Sequence, residues 1–175
     1  MRKMWLVVVL LISLAALPGV CWGAAYMLSD LESDADFNAW IPDGFISNCP
    51  YPCTPLPATL TRVAEHATEG SYSCQIDANE GEHMGMDRET FPINDWSGYN
   101  TLLFDLENPT SNALNLHIQI SDAVHGGAWA KRYLWDGALI PGVNRVKIKL
   151  VNMTLNDGSA NLDTSQIANF SLGVW

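Results

Sequence analysis

The sequence predicts an all-β domain, an antiparallel sandwich or barrel of about nine short strands. Apolar and polar residues alternate with a period of two through most of the chain, and turn residues punctuate that alternation at short intervals. No segment holds a helical period beyond two turns. Many short strands at such spacing close into a sandwich or barrel.

The chain begins with Arg2 and Lys3, an apolar run from Leu6 to Leu17, and small residues at Gly23, Ala24 and Ala25. That order is the order of a secretory signal peptide, with cleavage after Gly23 or Ala25, and the apolar run is short for a bilayer span. Val20 is larger than lipoprotein processing accepts before Cys21, so the reading is soluble export, secreted or to a periplasm or cell surface. Residues 1–25 are the leader, and 26–175 form one domain large enough for a real core.

The expected strands are Tyr26–Leu31, Ala58–Glu65, Tyr72–Asp77, His83–Glu89, Thr101–Glu107, Leu114–Ser121, Trp129–Trp135, Val143–Leu150 and Ile167–Trp175. Thr68-Glu69-Gly70, Asn79-Glu80-Gly81, Asn108-Pro109-Thr110, Pro141-Gly142 and Asn156-Asp157-Gly158 supply turns between them. The clearest strand sets Leu114, Leu116, Ile118 and Ile120 on one face and Asn115, His117 and Gln119 on the other. Val146, Ile148 and Leu150 oppose Lys147 and Lys149 in the same way. Asp163 is placed to cap one short helical turn before the last strand. Ile41–Pro57, rich in proline, reads as a surface loop.

The formal charge is −10, and losing Arg2 and Lys3 leaves 7 basic and 19 acidic residues, or −12. Such a surface repels nucleic acid and anionic lipid and suits neutral ligands or cations. Cys49 and Cys53, in Asn48-Cys49-Pro50-Tyr51-Pro52-Cys53, can close a small disulfide in an oxidising compartment. Cys74 alternates with Tyr72 and Ile76 and reads as a buried apolar residue. His66, His83, His117 and His125 are scattered without a zinc or nucleophile motif, and no phosphate-cradling glycine loop is present. A small exported enzyme would need two acids, or an acid and His117, facing each other in a pocket.

Several segments occur in a familiar order: Leu28-Ser29-Asp30-Leu31-Glu32-Ser33-Asp34 leading to Trp40, then Glu65-His66-Ala67-Thr68-Glu69-Gly70-Ser71-Tyr72-Ser73. Asp95-Trp96-Ser97-Gly98-Tyr99-Asn100, Phe104-Asp105-Leu106-Glu107-Asn108-Pro109 and Pro141-Gly142-Val143-Asn144 follow. Together they resemble the galactose-binding-like jelly-roll family, which includes carbohydrate-binding modules of bacterial glycoside hydrolases. The resemblance covers the mature chain and implies a jelly-roll sandwich, a non-catalytic carbohydrate-binding role and a possible catalytic domain downstream. A structural or protein-docking module on the same fold is the rival reading. The family closes with a further strand, carrying an aspartate, that is not found after Trp175. The expectation is a fragment of a longer protein, with an uncovered edge beside the first strand. A structural calcium ion near that strand is also implied, with Glu32 and Asp30 (or Asp34) as ligands and carbonyls around Glu69 and Ser71 completing it.

Sugars bind by stacking their C–H faces on aromatic rings while polar groups meet their hydroxyls. Trp96 and Trp40 read as structural. Trp129, Tyr133 and Trp135 share one face of an expected strand, beside His117 and Gln119. If that face lines the concave groove it is a stacking platform, with Arg132 and Asp122 at the rim; if it points between the sheets it is core. The period of two assigns a shared face but not its side. Tyr51, held between two prolines, is a candidate rim contact.

Overall fold

The computed structural model describes residues 2–6, 10–13, 25–45, 58–78 and 83–174. Twelve strands run in chain order: β1 (Arg2–Leu6), β2 (Leu10–Ser13), β3 (Ala25–Ser29), β4 (Trp40–Phe45), β5 (Ala58–Val63) and β6 (Ser73–Ala78). Then come β7 (His83–Arg88), β8 (Thr101–Asn108), β9 (Leu114–Asp122), β10 (Tyr133–Leu139), β11 (Gly142–Lys149) and β12 (Ile167–Val174). All paired neighbours are antiparallel and form two sheets. The smaller has five strands in the order β10-β9-β12-β7-β4. In the larger, of seven strands, β8 is flanked by β11 on one side and by β1 and β2 on the other; β1 continues to β6 and β5, and β2 to β3.

The alternation in sequence becomes the sandwich. Leu102, Phe104 and Leu106 of β8, with Val146 and Ile148 of β11, turn inward from the larger sheet. Leu116, Ile118 and Ile120 of β9, with Phe170, Leu172 and Val174 of β12, meet them from the smaller one. The sheets lock at Phe104 and Phe170, whose rings meet edge to face at 5.8 Å. Cys74 is fully buried, as expected, and burial pushes its thiol up to about 12.

A buried ion pair joins the sheets at one end. The short helix α1 (Asp34–Phe37), capped by Ser33, presents Asp36 to Arg88 at 2.7 Å. Asp36 also accepts from Ser29 Oγ at 2.7 Å and the Leu31 amide at 2.8 Å. Burial pushes its carboxyl up, but these donors and the Arg88 charge hold it below the usual range. Arg88 lies over the Trp40 ring at 5.4 Å, and Trp40 Nε1 donates to Ser29 Oγ at 3.0 Å. Trp96 is fully buried, donates to the Ile93 carbonyl at 3.1 Å and meets Phe91 edge to face. Both tryptophans are structural.

Two sequence expectations are corrected. The strand expected at Trp129–Trp135 begins only at Tyr133, because Trp129–Lys131 closes a 3₁₀ turn. The segment expected to be all loop from Ile41 opens as strand, paired with β7 from Ile41↔Asp87 to Phe45↔His83. Cys49, Tyr51 and Cys53 lie outside the described residues, as does any disulfide between them. In the full chain the position beside β3 is occupied by β2, which lies in the stretch read as the leader. The capped turn before β12 is present at Thr164–Gln166, with Asp163 accepting from the Ser165 amide.

Candidate functional site

The five-stranded sheet buries one face and turns the other outward. Register sets the outward rows across its strands. One row reads Asp136, His117, Gly173 and Gly85 from β10 to β7. The next reads Leu134, Gln119, Ser171, Asp87 and Ile41. Gly173 and Gly85 carry no side chain; both are buried, and a Cβ on Gly85 would run into the Leu172 carbonyl oxygen, so glycine there permits the close pairing of β7 with β12. The rows mix polar side chains with Leu134 and Ile41, and His117, Gln119 and Ser171 among them are themselves buried.

Trp129 stands over one end of this face. Its ring stacks on His117, with centroids 5.5 Å apart and planes 16° from parallel, and the residue keeps 53% of its surface exposed. His117 is 6% exposed beneath it. His117 Nδ1 lies 2.6 Å from Asp136 Oδ1, so the carboxylate of the neighbouring strand fixes the plane of the imidazole. Arg132 donates to Gln119 Oε1 through Nη1 and to the Gly127 carbonyl through Nε at 2.7 Å.

The turn carrying Trp129 is clipped from behind. Lys131 Nζ reaches Asp157 at 2.7 Å and Ser159 Oγ at 2.8 Å. The Asn156 and Asp157 amides donate to the Arg132 and Ala130 carbonyls at 2.8 and 3.0 Å. The Lys131 ammonium, with donors from Ser159, holds the Asp157 carboxyl well below the usual carboxylate range. The result is an exposed indole whose inner side is occupied and whose backbone is fixed.

Of the candidate residues, Trp129, His117, Gln119 and Arg132 come together here. Tyr133 and Trp135 do not. They pair with Ile120 and Ile118, so they point to the core side, where both pack partly buried against it. Burial pushes the Tyr133 phenol up. A Cβ on Gly137 would sit 2.3 Å from the Trp135 ring; the indole lies over that glycine on the same strand. The shared platform of three aromatics is therefore corrected to a single exposed ring, because the turn breaks the alternation between Trp129 and Tyr133.

Asp122 is also corrected as a rim contact. Its side chain is fully buried and accepts from the His125 amide at 2.6 Å, the His125 ring at 2.8 Å and the Asp163 amide at 2.7 Å. Burial pushes the carboxyl up, but the His125 and Asp163 donors outweigh it and hold it below the usual range. Asp136, which sequence reasoning missed, is the carboxylate that remains exposed beside His117. An acid facing His117 is what a small enzyme would require, yet this imidazole lies beneath an indole and not in an open cleft.

The expected calcium ligands are arranged differently. Glu32 Oε1 accepts from the Ser71 and Tyr72 amides at 2.6 and 3.1 Å. Asp30 Oδ1 accepts from the Glu32 amide at 3.0 Å, and Asp34 pairs with Arg62 at 2.6 Å. Through these bonds Glu32 ties the exit of β3 to the Ser71 turn. Among the described residues no three His, Cys, Asp or Glu side chains cluster as metal ligands.

No protein-family model matches the chain, and no curated protein sequence matches it. A solved structure is similar: a family 11 carbohydrate-binding module from Clostridium thermocellum, in complex with a beta-1,3-1,4-mixed-linked tetrasaccharide. The likeness covers 95% of this chain and 87% of that one, with a TM-score of 0.55 and 12% sequence identity. At that identity it shows the fold, a jelly-roll β-sandwich.

Proposed function

We propose that the chain is an exported, non-catalytic carbohydrate-binding module that holds a neutral oligo- or polysaccharide against the outer face of its five-stranded sheet. The observation that carries this reading is Trp129: an exposed indole, backed by His117 and fixed by the Lys131 clip. A sugar ring would stack its C–H face on the open side of the indole. Asp136 and Arg132 stand at hydrogen-bonding positions for hydroxyls. The acidic surface disfavours anionic polymers.

Fold likeness alone does not assign a ligand. The mixed-linked glucan held by the similar module makes β-glucans the first ligands to try. One aromatic contact gives weak binding, which attachment to a catalytic domain would make useful through effective concentration. The test is affinity electrophoresis of the full chain through gels carrying neutral polysaccharides, mixed-linked β-glucan among them. Retardation in at least one gel is expected, reversed by free oligosaccharide. Unchanged mobility across a broad panel would shift the reading to a structural or docking module.

A further inference from the structure

We propose that β11 is an edge whose backbone fits a second copy of this chain, and that the charges of Lys147 and Lys149 keep that copy off. The placement of the two lysines carries the proposal. Among the described residues β11 pairs with β8 alone, so one side of its eight residues is open, about 26 Å of strand at roughly 3.3 Å per residue. No proline interrupts it. By contrast β4, at an edge of the other sheet, carries Pro42, which cannot donate to a ladder. An open edge of this length is a template for strand addition, and lysine is a common guard against it. Lys147 and Lys149 are exposed on the outer face of the sheet, alternating with the buried Val146 and Ile148.

These two are also the cations that the fold leaves without a counter-charge. Residues 26–175 contain 7 basic and 19 acidic side chains, so carboxylates are not scarce. Arg62 pairs with Asp34, Arg88 with Asp36, Lys131 with Asp157 and Arg145 with Asp105. Arg132 is held by Gln119 and the Gly127 carbonyl. Lys147 and Lys149 form no ion pair among the described residues, and β8 sets Leu103 and Thr101 opposite them. A second β11 added antiparallel, with its outer row on the same face, sets cation against cation. With Val146 at the centre of the pairing, Arg145 meets Lys147; with Lys147 at the centre, that lysine meets its own copy and Arg145 meets Lys149. A slip of one residue avoids this only by turning the core row of one copy outward. Like charges directly opposite destabilise a strand pair. The repulsion is therefore aimed at a copy of the same strand, the occupant that shares its row and register. This inference is independent of the carbohydrate reading.

The test compares the full chain with two double variants, Lys147→Thr/Lys149→Thr and Lys147→Arg/Lys149→Arg, by sedimentation and by hydrogen exchange of the β11 amides. The unsubstituted chain and the arginine variant are expected to stay monomeric. The threonine variant should self-associate about tenfold more tightly or better, and its Val143–Lys149 amides should gain protection as its concentration rises. Urea midpoints at low concentration should agree among all three, since both lysines are exposed; that agreement shows that the association is not a consequence of unfolding. The proposal is overturned if the threonine variant stays monomeric, or if it associates with its β11 amides unprotected. It is equally overturned if the arginine variant associates as the threonine one does, or if the unsubstituted chain already pairs through β11.

Discussion

At the scale of single residues, the proposed site rests on Trp129 and Asp136, and glycines mark where the chain has no room. Removing the Asp136 carboxylate (Asp136→Ala) frees the imidazole on which Trp129 rests. Affinity for a bound glucan should fall about threefold, less than 1 kcal/mol on the scale where 1.4 kcal/mol is tenfold. Unfolding in urea should barely change, because the Asp136 side chain is 69% exposed. Gly70 is the opposite case. It sits at φ +71°, and a Cβ there would lie 2.4 Å from Glu32 Oε1. Gly70→Ala should cost about 1–2 kcal/mol in urea unfolding, from the left-handed backbone and the displaced carboxylate. Gly98→Ala, in open space, is the control and should cost a few tenths at most.

At the scale of elements, β10 shows what the sequence could and could not convey. The period of two relates Tyr133 to Trp135 correctly, because both lie in one strand. It says nothing about Trp129, since a 3₁₀ turn intervenes and turns reset the parity of facing. The signal that could have placed Trp135 is Gly137 two residues later: on a strand that spacing puts the two on one face, and the missing side chain makes a seat for the indole. Gly137→Val should drive the ring out of its seat and destabilise the domain by about 1–3 kcal/mol, the usual range for overpacking. The check is a lowered urea midpoint with the slope unchanged. The Lys131–Asp157 clip is exposed, so its loss should cost little stability. Strand existence was legible through most of residues 26–175, from Leu114–Ile120 most clearly, whereas β1 and β2 fall in the stretch read as a leader. β4 was hidden by Pro42 and Gly44, residues that argue against a strand anywhere but at an edge, and β4 lies at the edge of its sheet.

At the scale of the molecule, a sandwich or barrel was legible because alternation and turn chemistry agree through residues 26–175, and its jelly-roll type because of the family resemblance, whereas the wet face was not, because alternation is symmetric between faces. The described residues contain no helix long and apolar enough to cross a membrane. Folding also rests on carboxylates held ionised inside it: Asp36, Asp105 beside Arg145, and Asp122 all sit below the usual range. Groups depressed in the folded state contribute stability that is full above the unfolded-state pKa and disappears as pH falls through the folded one. Urea midpoints should therefore be flat from neutrality to about pH 5 and drop steadily below about pH 4, near the ordinary aspartate value. A midpoint that held to pH 2 would contradict that role for the carboxylates. The central claim is that the binding face is the outer side of the five-stranded sheet, with Trp129 as its stacking ring. Its most direct test is tryptophan fluorescence of the full chain titrated with the best-retarding polysaccharide, comparing Trp129→Ala with Trp135→Phe. The account predicts a saturable change that Trp129→Ala weakens at least tenfold without lowering the urea midpoint, and that Trp135→Phe preserves. Binding that survives Trp129→Ala undiminished would contradict it.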